Sequence, residues 1–184
     1  KVAEDRLKYL AFYDQLTGLP NRRLFNDRLQ QAMAASKRNG LYGALMFLDL
    51  DNFKPLNDQY GHAVGDLLLG EVARRLKTNV REMDTVARFG GDEFVVMLAE
   101  LGADPGEATA QAGHVGEKIR LALAEPYRLT VKSEATSETV ITHRCTVSIG
   151  TALFLDHESN RGDILERADA AMSAANARGR DTVA

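Results

Sequence analysis

The sequence predicts an α+β fold with a central, mainly antiparallel sheet flanked by helices. Short apolar runs rich in β-branched residues interleave with stretches of helical periodicity. Two of those runs are separated only by Gly90, Gly91 and Asp92, a spacing that makes them neighbours in a hairpin. Adjacent hairpins argue against an all-parallel sheet with a helix between every pair of strands.

Taken in order, residues 1–13 place Val2, Leu7, Leu10 and Phe12 among charges, a loosely helical pattern expected of a connecting helix. Gly18 and Pro20 then punctuate a tight loop, and Asn21 is a suitable N-cap for a helix to about residue 37. Residues 42–50 form an apolar run ended by acids, the profile of a buried strand. A short helix follows from Asn52 to the break at Gly61. A longer one comes next, with Val64, Leu67, Leu68, Val72 and Leu76 on one side. Residues 85–89 and 93–98 are the hairpin strands, and 103–124 is a helix that tolerates Pro105 near its start. Residues 127–131 and 140–154 are expected as strands joined by the polar stretch 132–139, which suggests no function. A final helix over 161–177 is stopped by Gly179. The expected division is a linker helix over 1–13 and one domain over 14–184.

Composition narrows the function. At 184 residues, 45% hydrophobic and 27% charged, the chain can bury a core as one ordinary globular domain. Its net charge of -3 argues against a nucleic-acid polymer as partner, since such surfaces usually carry a basic excess. The single cysteine, Cys145, can form neither an internal disulfide nor a thiolate metal site, and its β-branched surroundings mark a core thiol. No run approaches the roughly 18 apolar residues of a membrane span, and no signal peptide is visible, so the expected location is cytoplasmic. The start at Lys1 without Met suits a piece of a longer protein, for which a membrane tether stays open.

The chemistry concentrates in two acidic groups. Asp49 and Asp51 close the apolar run, and the period of two puts them on one side unless the strand ends before Asp51. Asp92 and Glu93 follow Gly90-Gly91, where missing side chains let a bulky anion approach the backbone. Carboxylates held together repel unless a cation or proton intervenes, and oxygen-only ligands suit Mg²⁺ or Mn²⁺ rather than zinc. From the residues alone, a metal site and an ordinary set of strand-end acids both remain open. Lys54 and Asn57, three apart, share a helix face. The lysine suits a phosphate, and the amide offers a donor and an acceptor. Asp66 suits a purine edge with paired donors, as in guanine. The competing readings are a solvated lysine and an acid placed by the helix dipole.

Read together, these segments resemble the GGDEF family of diguanylate cyclases, nearly end to end. The resemblance rests on Asp14-x-Leu16-Thr17-Gly18-Leu19-Pro20-Asn21-Arg22. It rests also on Asp49-Leu50-Asp51-Asn52-Phe53-Lys54-x-x-Asn57-Asp58-x-x-Gly61-His62-x-x-Gly65-Asp66, and on Arg88-Phe89-Gly90-Gly91-Asp92-Glu93-Phe94. It implies a palm-like fold and condensation of two GTP into cyclic di-GMP and pyrophosphate, each chain of a homodimer supplying half a site. It implies two divalent cations at Asp49, Asp92 and the Leu50 carbonyl, with Glu93 at the metal or assisting deprotonation. Asn57 and Asp66 would read guanine. Phe53, Lys54, Gly90, Gly91 and Arg180 would complete the GTP site. The Arg81-x-x-Asp84 sequence is similar to the family's inhibitory product site; an ordinary i,i+3 ion pair is the alternative. The N-terminal stretch would couple an upstream sensor to dimer geometry; a frayed terminus is the alternative. A silent module that binds GTP or cyclic di-GMP is the competing function.

The segment from Ala168 to Arg180 departs from the family pattern. Asn176 stands where a lysine would grip the triphosphate, and Ser173 where an aromatic residue is usual, while Arg180 is retained and Arg178 lies nearby. Weaker GTP affinity is expected.

Overall fold

The chain is described from a computed structural model, over residues 1–134, 137–155 and 160–184. β1 (Gly43–Leu50) is the unbroken apolar run, buried at every position except Asp49. A strand with both faces covered has no polar alternation to show. It pairs antiparallel with β3 (Glu93–Leu98) on one side and β6 (Val147–Phe154) on the other. β2 (Thr85–Gly90) lies outside β3, and β7 (Thr182–Val183) adds in parallel to β6, so the order is β2-β3-β1-β6-β7. The sheet is mainly antiparallel, as expected, with one short parallel edge.

Alternate side chains of β1 feed two cores. Ala44, Met46, Leu48 and Leu50 pack with α4 (His62–Thr78) and α5 (Pro105–Ala124). Leu45 and Phe47 pack with α2 (Arg22–Asn39) and α6 (Arg161–Ala177). The caps follow the local chemistry. Asn21 accepts from the Leu24 N–H, and Gly40 ends α2 in the left-handed region at φ 70°. Asp104 caps α5, so that helix begins at Pro105 rather than 103. α1 (Val2–Phe12) has no buried residue, and no described helix is long and apolar enough to cross a membrane.

Two expectations are corrected and one element is added. Residues 140–154 are not one strand: β5 (Glu138–His143) pairs with β4 (Tyr127–Lys132) in a separate two-stranded sheet, and β6 belongs to the central one. β5 is largely exposed and β6 almost wholly buried, but β-branched residues run through both and hide the break. Leu67 is exposed; Leu69 replaces it on the inward face of α4. β7 was not foreseen, because two residues carry no periodicity. Of the stretch 132–139, residues 135 and 136 lie outside the described residues. Cys145 is a core thiol whose pKa burial pushes up to about 11.

Candidate functional site

The end of β1 and the β2–β3 hairpin bring the two acidic groups together. Asp49 lies opposite Glu93 in the β1–β3 register, and Gly91 and Asp92 form the hairpin tip. Gly90 and Gly91 adopt φ of 141° and 49°, which other residues rarely reach. A Cβ at either would meet nothing within 4 Å, so the backbone there is open to a ligand. Burial, and then the neighbouring Asp92 carboxylate, raise the Asp49 pKa to about 6. Such a pair of acids gains from a cation. Among the described residues no three His, Cys, Asp or Glu groups gather as ready metal ligands. The ready donor set is therefore small and oxygen-only, the Asp49–Asp92 pair, to which Glu93, opposite Asp49 in the register, and the carbonyl of Leu50 could add. It fits hard divalent cations that take further oxygens from a substrate.

Asp51 does not share the side of Asp49. The strand ends at Leu50, Asn52 turns left-handed at φ 63°, and Asp51 points inward at 3% exposure. Its carboxylate accepts from Thr146 Oγ1 (2.6 Å), Ser148 Oγ (3.0 Å) and the Asp181 N–H (3.1 Å). It is an internal anchor, both of whose carboxylate oxygens are taken up by the protein.

On the next element, α3 (Phe53–Tyr60), Phe53 is half-buried and Lys54 exposed. Asn57 packs against Gly65 so closely that a Cβ there would lie 1.8 Å from Asn57 Oδ1. That oxygen is buried without a hydrogen-bond partner, a costly state that a donor on a ligand would relieve. Asp66, next to Gly65, is exposed and beyond the first turn of α4, which weakens its reading as a helix-dipole acid.

The C-terminal segment closes the other side. Asn176 Nδ2 donates to Asp49 Oδ2 at 3.3 Å, so the residue that departs from the family pattern touches the acidic pair directly. Arg180 Nη1 donates to Asn52 Oδ1 at 3.2 Å. Ser173 and Arg178 are exposed on α6 and at its end.

Arg88 has a part that sequence reasoning missed. Its guanidinium forms an ion pair with Asp14 at 2.8 Å and donates to the Gly91 carbonyl at 3.0 and 2.8 Å. The loop after α1 is thereby tied to the hairpin tip. Both partners lie inside motifs already singled out, but their pairing depends on tertiary contact.

Arg81 and Asp84 lie elsewhere, lining a cleft of about 340 Å³ with Arg28, Lys77, Tyr13 and Leu19. The ion-pair reading of the motif is met: Arg81 bonds Asp84 at 3.0 Å and also reaches the Ala99 carbonyl. Asp84 is the buried half of the pair and accepts the Ala99 N–H.

The family profile described as "Diguanylate cyclase, GGDEF domain" matches residues 11–182. The chain is 42% identical over 179 residues to the bifunctional diguanylate cyclase/cyclic di-GMP phosphodiesterase MucR of Pseudomonas aeruginosa, covering 97% of this chain and 24% of MucR. It therefore spans about a quarter of that relative's length. The crystal structure of the GGDEF domain of TpbB from the same organism superposes with a TM-score of 0.78 at 36% identity, over 91% of this chain and 96% of that one. The coiled coil and GGDEF domain of DgcB from Caulobacter crescentus, in complex with c-di-GMP, gives a TM-score of 0.80 at 31% identity, over 99% and 89%.

Proposed function

The chain belongs to the GGDEF diguanylate cyclase domain family, and from that premise we propose that it condenses two GTP molecules into cyclic di-GMP, releasing pyrophosphate. The observation that carries this reading is the Asp49–Asp92 pair beside an open Gly90–Gly91 backbone, with the unpartnered Asn57 oxygen and Arg180 on flanking elements. Asn57 and Asp66 would bind the guanine edge, Phe53 would support it, and Lys54 and Arg180 would orient the phosphates. The 3′-oxygen of each GTP attacks the α-phosphorus of the other, so that two phosphodiester bonds form as two bonds to pyrophosphate break and two pyrophosphates leave, with Glu93 of each half helping to remove the hydroxyl proton. Two Mg²⁺ or Mn²⁺ ions, held by Asp49, Leu50, Asp92 and Glu93, would make the hydroxyl more acidic and offset charge on the α-phosphate.

Each reaction needs two nucleotides, so two chains must meet face to face. α1, with Leu7, Tyr9 and Leu10 exposed, is suited to transmit an upstream sensor's state to that geometry. The reading puts the domain in the cytoplasm, where GTP is made. The dimerised protein, given GTP and Mg²⁺, should form cyclic di-GMP; no product under those conditions rejects the enzyme. The alternative, a weak or silent GTP- or cyclic di-GMP-binding regulatory module, is favoured by one observation, Asn176 at Asp49. Asn176→Lys adds a cation near the phosphates and should tighten GTP binding about tenfold by calorimetry. Unchanged affinity would remove Asn176 as the weak point.

The Arg81–Asp84 cleft is proposed as a product site, since arginine reads guanine's O6 and N7 edge bidentately and Arg28 and Lys77 bring further positive charge. Arg81→Ala should raise the half-inhibitory cyclic di-GMP concentration at least about tenfold. An inhibition curve that does not move counts against the site.

A further inference from the structure

The turn after α6 is built in an unusual way. Arg180 and Asp181 are consecutive non-glycine residues in the left-handed region, at φ 68° and 46°, following Gly179 at φ 114°. L-residues disfavour that region, so two in succession persist only where surrounding contacts hold them. Those contacts come from two directions. From inside, the buried Asp51 carboxylate accepts the Asp181 N–H at 3.1 Å, while the same carboxylate is fixed by Thr146 and Ser148. From outside, Arg120 on α5 donates to Asp181 Oδ1 at 2.8 Å and is itself oriented by Glu117. β7 follows at once, paired with β6, and α5 sits close on it: a Cβ at Gly116 would lie 3.0 Å from Val183 Cγ1. The Asp51 and Arg120 contacts converge on Asp181, the residue next to Arg180, and the Arg180 guanidinium reaches Asn52, the N-cap of α3.

We propose that Asp51 and Arg120 are positioning residues for the nucleotide phosphates: together they hold the Arg180–Asp181 turn so that Arg180 faces the site. The proposal rests on the reading of Arg180 as a phosphate contact. Arg120 lies on a helix that supplies no residue of the site, so the effect must pass through Arg180.

The test compares binding of the α-thio analogue of GTP, in Mg²⁺, to the unaltered chain and to Arg120→Gln, Arg120→Lys, Arg180→Ala and the Arg120→Gln/Arg180→Ala pair. Arg180→Ala should weaken binding about tenfold, and Arg120→Gln by about three- to tenfold, at little cost in melting temperature. Arg120→Lys, which keeps the charge, should recover part of the loss, and the double variant should bind no worse than Arg180→Ala alone. Asp181→Asn, which keeps a residue tolerant of the left-handed region, should reproduce the Arg120→Gln loss. If Arg180→Ala weakens binding while Arg120→Gln and Asp181→Asn do not, the positioning role is wrong and the phosphate contact stands. Multiplicative losses in the double variant also overturn it. An Arg180→Ala variant with unaltered affinity overturns the phosphate contact and the proposal with it.

Discussion

Asp92→Ala is expected to lower cyclic di-GMP formation by about 10³-fold or more without destabilising the domain. The two halves of this expectation come from one feature. Burial, and then the Asp92 carboxylate beside it, raise the Asp49 pKa to about 6, so ionising Asp49 in the folded state carries a cost. A carboxyl group whose pKa is higher in the folded state than in the unfolded one stabilises the fold only while protonated. That contribution fades as pH rises through about 6, leaving a penalty at pH 7. Removing Asp92 relieves the part of the penalty that comes from the neighbouring carboxylate and leaves the burial part, so the melting temperature should hold or rise slightly while activity disappears. A residue kept for packing would show the reverse. Product formation from dimerised protein with GTP and Mg²⁺, beside a thermal melt, reads both quantities. An Asp92→Ala protein that retains more than about a tenth of the activity would show that the pair is not the reacting centre.

Much of this arrangement was visible in the order of residues, for reasons that differ by element. β1 was legible because a strand covered on both faces must be apolar throughout, and Asp49 stands out as its one incompletely buried position. The hairpin was legible because only glycine enters the φ values at Gly90 and Gly91 cheaply. Contacts between distant segments left no local trace. Asp51 obeys the same alternation as Asp49 until the strand ends one residue earlier, and nothing in the spacing reveals that it turns inward to Thr146, Ser148 and Asp181. Arg88 was read only as part of a motif, yet its charge is taken up by Asp14 and its remaining donors by Gly91. The break between β5 and β6 was hidden because β-branched residues suit an exposed strand and a buried one equally.

Gly150→Ala is expected to be the most damaging small substitution in the domain, through lack of space rather than backbone strain. A Cβ at Gly150 would stand 2.0 Å from the Met172 nitrogen, 2.3 Å from the Ala168 carbonyl oxygen and 2.6 Å from the Ala171 carbonyl carbon. These are backbone atoms of α6, so no side chain can swing aside; the helix itself must move off β6 by more than about 1 Å. Overpacking of this kind costs about 3 kcal/mol, or roughly 6–12 °C in melting temperature for a domain of this size. The displacement also reaches the site, because α6 carries Asn176, bonded to Asp49, and leads into the Arg180 turn. GTP affinity should therefore fall along with stability. Gly113→Ala is the matching control: on α5 a Cβ there meets nothing within 4 Å. The gain in helix propensity should stabilise by about 0.5–1 kcal/mol, with GTP binding unchanged. If both variants melt with the unaltered protein, α6 does not sit against β6 at Gly150. If Gly150→Ala loses stability but keeps its GTP affinity, α6 does not set the position of Arg180, and the β7 side of the turn must hold it alone.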